Sequence, residues 1–161
     1  MINRRSRMLF VDAGTGLLAG FAAHSGARRV IALDADQCDA QIMAALFAEN
    51  RLGAEAIFGA LARDRPLEDQ STVEANASPW FDRDLILAEE RIDTMILSVG
   101  TTDPTLISQL PSSVSAILLT NSAAGAPPAE RDRLIVHTIS EGFSYDPAAS
   151  RFSALLFRRY A

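Results

Sequence analysis

Three features of this 161-residue sequence predict a doubly wound α/β fold. Short apolar runs, Met8–Val11 and Val30–Leu33 first among them, alternate with stretches whose apolar residues fall at helical spacing. Glycines cluster where the first run ends, at Gly14, Gly16 and Gly20. The chain closes on two β-type runs, Phe143–Tyr145 and Phe152–Phe157, on either side of Asp146-Pro147. Strands alternating with helices imply a mostly parallel sheet with helices on both faces, and the closing runs add a C-terminal antiparallel hairpin. The length suits one domain, residues 1–161, with no internal repeat.

The elements follow in order. Met8–Val11 is too short for a helix and right for a buried strand, and Leu17–His24 resumes a helical pattern after the glycine turn. Val30–Leu33 is the second strand, closed by Asp34. Gln37–Arg51 places Ile42, Met43, Leu46 and Phe47 at helical spacing, and Gly53 stops it. Ala54–Phe58 is the third strand. Residues 62–82 are polar and interrupted by Pro66 and Pro79, which predicts an irregular excursion with a short edge strand near Thr72–Glu74. Trp80 and Phe81 return from it, to anchor the core or to floor a substrate pocket. Arg83–Arg91 is a helix and Asp93–Val99 the fourth strand, centred on Met95-Ile96-Leu97. Asp103-Pro104 fits an N-cap with Pro at the first helical position, opening a helix to about Leu110. Val114–Leu119 is the fifth strand, Ala123–Pro128 a loop, and Ala129–Glu141 a helix with Leu134, Ile135, Thr138 and Ile139 on one side.

Composition excludes several kinds of chemistry. The 15 basic residues are all Arg, so no mechanism can use a lysine amine. A net charge of −5 argues against a nucleic-acid partner, because phosphate neutralisation needs clustered cations. Cys38 is the single cysteine and His24 and His137 are the only histidines, too few for a transition-metal site. No signal-peptide pattern or long apolar span is present, so the expectation is a cytoplasmic protein with no membrane partner. Arg4, Arg5 and Arg7 read as a solvated lead-in.

In open parallel sheets ligands bind at the carboxyl ends of the strands, here the turns at 12–20, 34–36, 59–64, 98–104 and 120–126. The glycine turn leaves backbone N–H groups at a helix N-terminus, which favours an anionic group. Asp34 then stands where ribose hydroxyls would donate to it, the competing reading being a helix N-cap for Gln37–Arg51, a role open to Asp36 instead. Asp64 is a solvated loop acid or approaches an adenine edge. Asp103 reads as a cap rather than a catalyst, and Asp93 lies at the amino edge, away from chemistry. His24 reads as surface, His137 as a residue inside a helix, and Ser98 and Ser122 show no His partner for a nucleophile triad. Cys38, near a helix start, is a thiol of lowered pKa or, more commonly for cysteine, a buried structural residue.

Val11-Asp12-Ala13-Gly14-Thr15-Gly16, followed by Ala22–Arg29 and Val30-Ile31-Ala32-Leu33-Asp34, resembles the first two motifs of class I S-adenosylmethionine-dependent methyltransferases. Within that class the chain is most similar to the FkbM-type family. The similarity spans roughly residues 8–121 and rests also on Ala48-Glu49-Asn50-Arg51-Leu52, Gly59–Asp64 and Arg91–Gly100. The resemblance implies S-adenosylmethionine as cofactor, held by Asp12, Gly14, Thr15, Gly16, Asp34 and Ala60, and methyl transfer to oxygen on a small molecule or sugar. Where that family carries Lys, Asp and Glu on its fourth-strand motif, this chain has Ile96, Ser98 and Gly100. That departure motivates an alternative, a non-catalytic methyltransferase-like module acting through protein partners or as a homo-oligomer. A further alternative is an NAD-binding domain, since Gly14, Gly16 and Gly20 also suit a dinucleotide turn.

Overall fold

Residues 2–63, 78–121, 127–150 and 154–160 are described by a computed structural model. Strand β1 (Arg7–Val11) leads through the glycine turn to α1 (Leu17–His24), then β2 (Arg29–Asp34), α2 (Gln37–Glu49) and β3 (Ala54–Phe58). The short strands β4 (Ala60–Ala62) and β5 (Trp80–Asp82) come next, followed by α3 (Arg83–Glu89) and β6 (Thr94–Val99). A 3-10 turn (Pro104–Leu106), β7 (Ala116–Asn121), α4 (Pro128–Ser140), β8 (Ser144–Tyr145) and β9 (Ala154–Arg158) complete the chain.

The main sheet has the order β3-β2-β1-β6-β7-β9-β8. β1, β2, β3, β6 and β7 run parallel, and β9 is antiparallel to both β7 and β8, as the closing hairpin predicts. The order reverses between β1 and β6, the kind of switch point that opens a crevice at the carboxyl edge. Register sets what lines it. Val11 pairs with Leu33 on one side and with Leu97 on the other, so Asp12, Asp34 and Ser98 leave the sheet in one row.

Both faces of the sheet are buried, which is why its strands read as unbroken apolar runs. Leu9, Val11, Ile31, Leu33, Met95 and Leu97 pack on one face with Leu87 of α3 and Leu134 of α4. Met8, Phe10, Val30, Ala32 and Ile96 face the other way, against Ala19 and Ala22 of α1 and Met43 and Phe47 of α2. Alternate residues of each strand thus serve different layers.

The sequence and the structure part company in two segments. Trp80 and Phe81 do return, but in a separate two-stranded parallel sheet with Ala60–Ala62, and Phe81 packs against the main core. Gly59 makes this possible: at φ +156°, a Cβ there would lie 2.3 Å from the Phe81 ring and 2.8 Å from the Pro79 carbonyl oxygen. The edge strand expected near Thr72–Glu74 lies outside the described residues. The second difference follows Asp103, where a single 3-10 turn replaces the expected helix to Leu110. The fully buried Arg83 donates from Nη1 to the carbonyls of Thr105, Leu106 and Ser108. The Thr105 carbonyl also accepts the Ser108 N–H at 3.1 Å, the spacing of a 3-10 turn, and Arg83 supplies the Leu106 and Ser108 carbonyls with a partner in place of a following helical N–H.

Candidate functional site

The glycine turn and Asp34 form one unit. Asp34 is only 8% exposed, and its carboxylate accepts the Gly14 N–H at 2.7 Å and the Asp36 N–H at 2.8 Å. A carboxylate offers roughly four acceptor positions, so capacity remains on the side facing the edge. The capping role belongs to Asp36, which accepts from the Cys38 and Asp39 N–H groups at the start of α2. Asp34 is therefore free of that duty and instead ties the end of β2 to the turn after β1.

The two glycines of the turn do different work. Gly16 caps α1 at φ +76°, and a Cβ there would lie 2.4 Å from Met43 Cγ, so its role is close packing of α1 on α2. Gly14, at φ +56°, has nothing within 4 Å of a Cβ; it faces open space. Thr15 sits exposed at the apex, and the Gly16 N–H closes the turn onto the Ala13 carbonyl at 3.1 Å. No side chain caps α1, so its first N–H groups keep their donor capacity toward the edge.

Asp12 takes a left-handed backbone conformation, φ +52°, at the end of β1. Burial pushes its carboxyl above the ordinary value, a hydrogen bond from Thr101 pulls it back, and the neighbouring charge of Asp34 adds to the rise. A half-buried acid in a strained conformation at a sheet edge is a frequent mark of a functional position. Ala60 reaches the same edge: the Gly59 N–H donates to the Asp34 carbonyl at 2.8 Å, and the Ala60 N–H donates to the Pro79 carbonyl at 2.9 Å.

The edge beyond β6 is built differently. Ile96 is buried in the core, and the Ser98 carbonyl accepts the Thr102 hydroxyl at 2.7 Å and the Thr102 N–H at 3.2 Å; the Thr101 hydroxyl, whose single hydrogen is shared with Asp12, lies 3.3 Å from the same carbonyl. Asp103 caps the 3-10 turn through the Thr105 N–H at 2.9 Å, as its sequence context predicts. Asp93 binds the Arg7 N–H at the amino edge, and His24 is exposed. Cys38 is exposed too, which corrects the expectation of a buried thiol: it lies on the solvent side of the first turn of α2.

Sequence reasoning missed two arrangements. Thr101 bridges toward Asp12, and Ser108 Oγ lies 2.8 Å from His137 Nε2. Ser108 and His137 are 29 residues apart and carry no shared local signal. Asp64 and Ser122 lie outside the described residues.

No protein-family model matches the sequence, and no curated protein is similar to it by sequence. The fold nevertheless matches solved methyltransferase structures over almost the whole chain. An rRNA methylase from Streptococcus thermophilus superposes with a TM-score of 0.61 at 12% identity, over 99% of this chain and 90% of that one. A ribosomal protein L11 methylase from Lactobacillus delbrueckii subsp. bulgaricus gives 0.58 at 18% identity, over 99% and 73%. TrmK of M. capricolum in complex with S-adenosyl-homocysteine gives 0.57 at 11% identity, over 99% and 64%. The fold is thus the Rossmann-like fold of class I methyltransferases. At these identities the likeness speaks of architecture and does not select the FkbM-type family.

One expectation is corrected by these matches. The acidic net charge argued for no nucleic-acid partner, yet the fold is shared with proteins named for rRNA and RNA methylation. Net charge is a sum over the chain, whereas phosphate contacts are local, so the sum does not exclude a nucleic-acid partner. Among the described residues no helix is long and apolar enough to cross a membrane.

Proposed function

We propose that the carboxyl edge of β1, β2 and β3 binds S-adenosylmethionine and that the chain is a methyltransferase-like domain. The observation that carries this reading is the Asp34–Gly14 unit, a buried carboxylate beside an uncapped helix N-terminus and a glycine that faces open space. These residues fit the cofactor. Asp34 has acceptor capacity for ribose hydroxyls, and the free N–H groups of α1 suit the carboxylate of the methionine end. Gly14 leaves room for close approach, Thr15 lies at the rim, and Ala60 is placed by the nucleoside side of Asp34. Gly16 contributes by holding α1 against Met43, and Asp12 by fixing the end of β1. When bound, S-adenosylmethionine supplies an electrophilic methyl group; the chain supplies binding and orientation.

RNA is the first acceptor class to test, since the neighbours include proteins named for rRNA and tRNA methylation. Oxygen methylation of the FkbM type is a narrower reading inside this one. A non-catalytic module is the second reading, favoured by residues 98–102, where the Thr101 and Thr102 hydroxyls turn to the Ser98 carbonyl and no residue carries an ionisable side chain to act as a base. The test is thermal unfolding with S-adenosylmethionine, S-adenosylhomocysteine and NAD in parallel, then transfer of labelled methyl to RNA. Saturation at a hundred times the dissociation constant adds about 2.7 kcal/mol of stability. A rise with the adenosyl ligands and label in RNA is the expected result. A rise without transfer selects the non-catalytic module, and a rise with NAD alone overturns the proposal.

A further inference from the structure

A cavity of about 380 Å³ lies between the 3-10 turn and α4, outside the site described above. Asp103, Thr105, Ser108, Arg133 and His137 line it. Ser108 and His137 are joined by their 2.8 Å hydrogen bond, and Arg133 forms no ion pair among the described residues. An unpaired guanidinium keeps its full fork of N–H donors.

The turn beneath this cavity is held with unusual firmness. Arg83, with no exposed surface, fixes three of its carbonyls, and Asp84 Oδ1 accepts the Arg83 Nε at 2.7 Å. From the other side, the Gln109 N–H donates to Glu141 Oε2 at 2.7 Å, with Gln109 in the left-handed region at φ +52°. Burying a cation is costly unless geometry repays it. Here it shapes the segment that presents Ser108 to His137, and a rigid support is what a binding site requires.

We propose that this cavity binds a phosphoryl group, with the Arg133 guanidinium and the Ser108 hydroxyl as donors. A phosphoryl group offers several acceptor oxygens and takes the arginine fork in bidentate fashion. His137 sets the hydroxyl: with a hydrogen on Nε2 it donates to Ser108 Oγ, leaving the serine hydrogen to face the cavity. Asp103, its Oδ1 engaged by the Thr105 N–H, lines the cavity with Arg133, and an adjoining cavity shares both residues and adds Glu130. The carboxylates of Asp103 and Glu130, and of Glu141 at the Gln109 N–H, oppose an anion, so binding rests on the Arg133 and Ser108 donors. The inference does not depend on cofactor binding.

The phosphoryl group belongs to a soluble phosphate ester or to a nucleic-acid backbone. The experiment is calorimetric titration of the full chain, without S-adenosylmethionine, using inorganic phosphate, a nucleoside 5′-monophosphate and a short RNA oligomer. Ionic strength is held constant with chloride. Saturable phosphate binding that weakens at least about tenfold in Arg133→Ala and less in Arg133→Lys is the expected result. Arg133 takes no part in holding the turn, so its removal leaves the fold intact; Ser108→Ala, checked by circular dichroism, also weakens binding. Much tighter, Arg133-dependent binding of the oligomer than of phosphate assigns the group to a nucleic acid, and binding of phosphate and the monophosphate with no tighter binding of the oligomer assigns it to a small ester. Absence of saturable phosphate binding, or equal binding by wild type and Arg133→Ala, overturns the proposal.

Discussion

The two halves of the carboxyl edge, one after β1 and β2 and the other after β6, start from the same row of the sheet and end in opposite states. After β1 and β2, polar groups are held in place yet retain unused capacity: Asp34 has acceptor positions left, α1 has no side-chain cap, and Gly14 faces open space. After β6, polar groups satisfy one another: Ser98, Thr101 and Thr102 close on a single carbonyl, and Asp103 is spent as a cap. The first half is organised to receive a ligand. The second is organised to hold its own shape, and Thr101 links the two through Asp12.

Substitutions at the glycines break this comparison most sharply. Gly16→Ala meets both a left-handed backbone and Met43, and loses about 2–4 kcal/mol of stability in urea unfolding. Gly14→Ala meets only the backbone strain, about 1–2 kcal/mol, and its larger effect falls on S-adenosylhomocysteine affinity. If Gly14→Ala proves the more destabilising of the two, the division of labour in the turn is wrong.

Asp34→Asn comes next. One of its two backbone partners loses its acceptor, which costs about 1–3 kcal/mol by chemical denaturation. Asp12→Asn changes how stability depends on pH. The folded-state pKa of Asp12 is raised, so its ionisation favours the unfolded chain, and the contribution present at acid pH is lost as pH rises through the folded value. Relative to wild type, the variant's stability therefore rises with pH from the ordinary value of 3.8 up to the raised folded value and is constant above it. A denaturation series across pH checks the sign.

The smallest effect is expected at the amino edge. Arg29 holds the Glu90 carboxyl below its ordinary value through a hydrogen bond, against the opposing effect of burial. That contribution is present above pH 4.5 and is lost as pH falls through the lowered folded value. Glu90 is a partly exposed surface partner, so Glu90→Gln costs under about 1 kcal/mol at neutral pH and leaves ligand affinity unchanged.

The half-edge after β1 and β2 was legible because its signals are local. An apolar run, glycines, a second apolar run and a closing acid occupy consecutive positions, and the ladder register then places Asp12 and Asp34 side by side. The half-edge after β6 was legible only where it begins. Asp103-Pro104 marks the start of a turn correctly, but its end is decided by Arg83, whose reach to Thr105, Leu106 and Ser108 spans 22 to 25 residues of sequence. The Ser108–His137 pair is hidden for the same reason. Net charge misled on partners because a sum over the chain erases where the arginines stand.

The central claim, that the capacity for the adenosyl cofactor resides in the Asp34–Gly14 unit and not in residues 98–102, is tested most directly by calorimetric titration of S-adenosylhomocysteine into wild type, Asp34→Asn and Thr101→Val. The account predicts binding by wild type, a loss of about ten- to a hundredfold in Asp34→Asn, and affinity in Thr101→Val within a few-fold of wild type. Binding by wild type that Thr101→Val abolishes and Asp34→Asn leaves intact would contradict it, as would no binding by wild type at all.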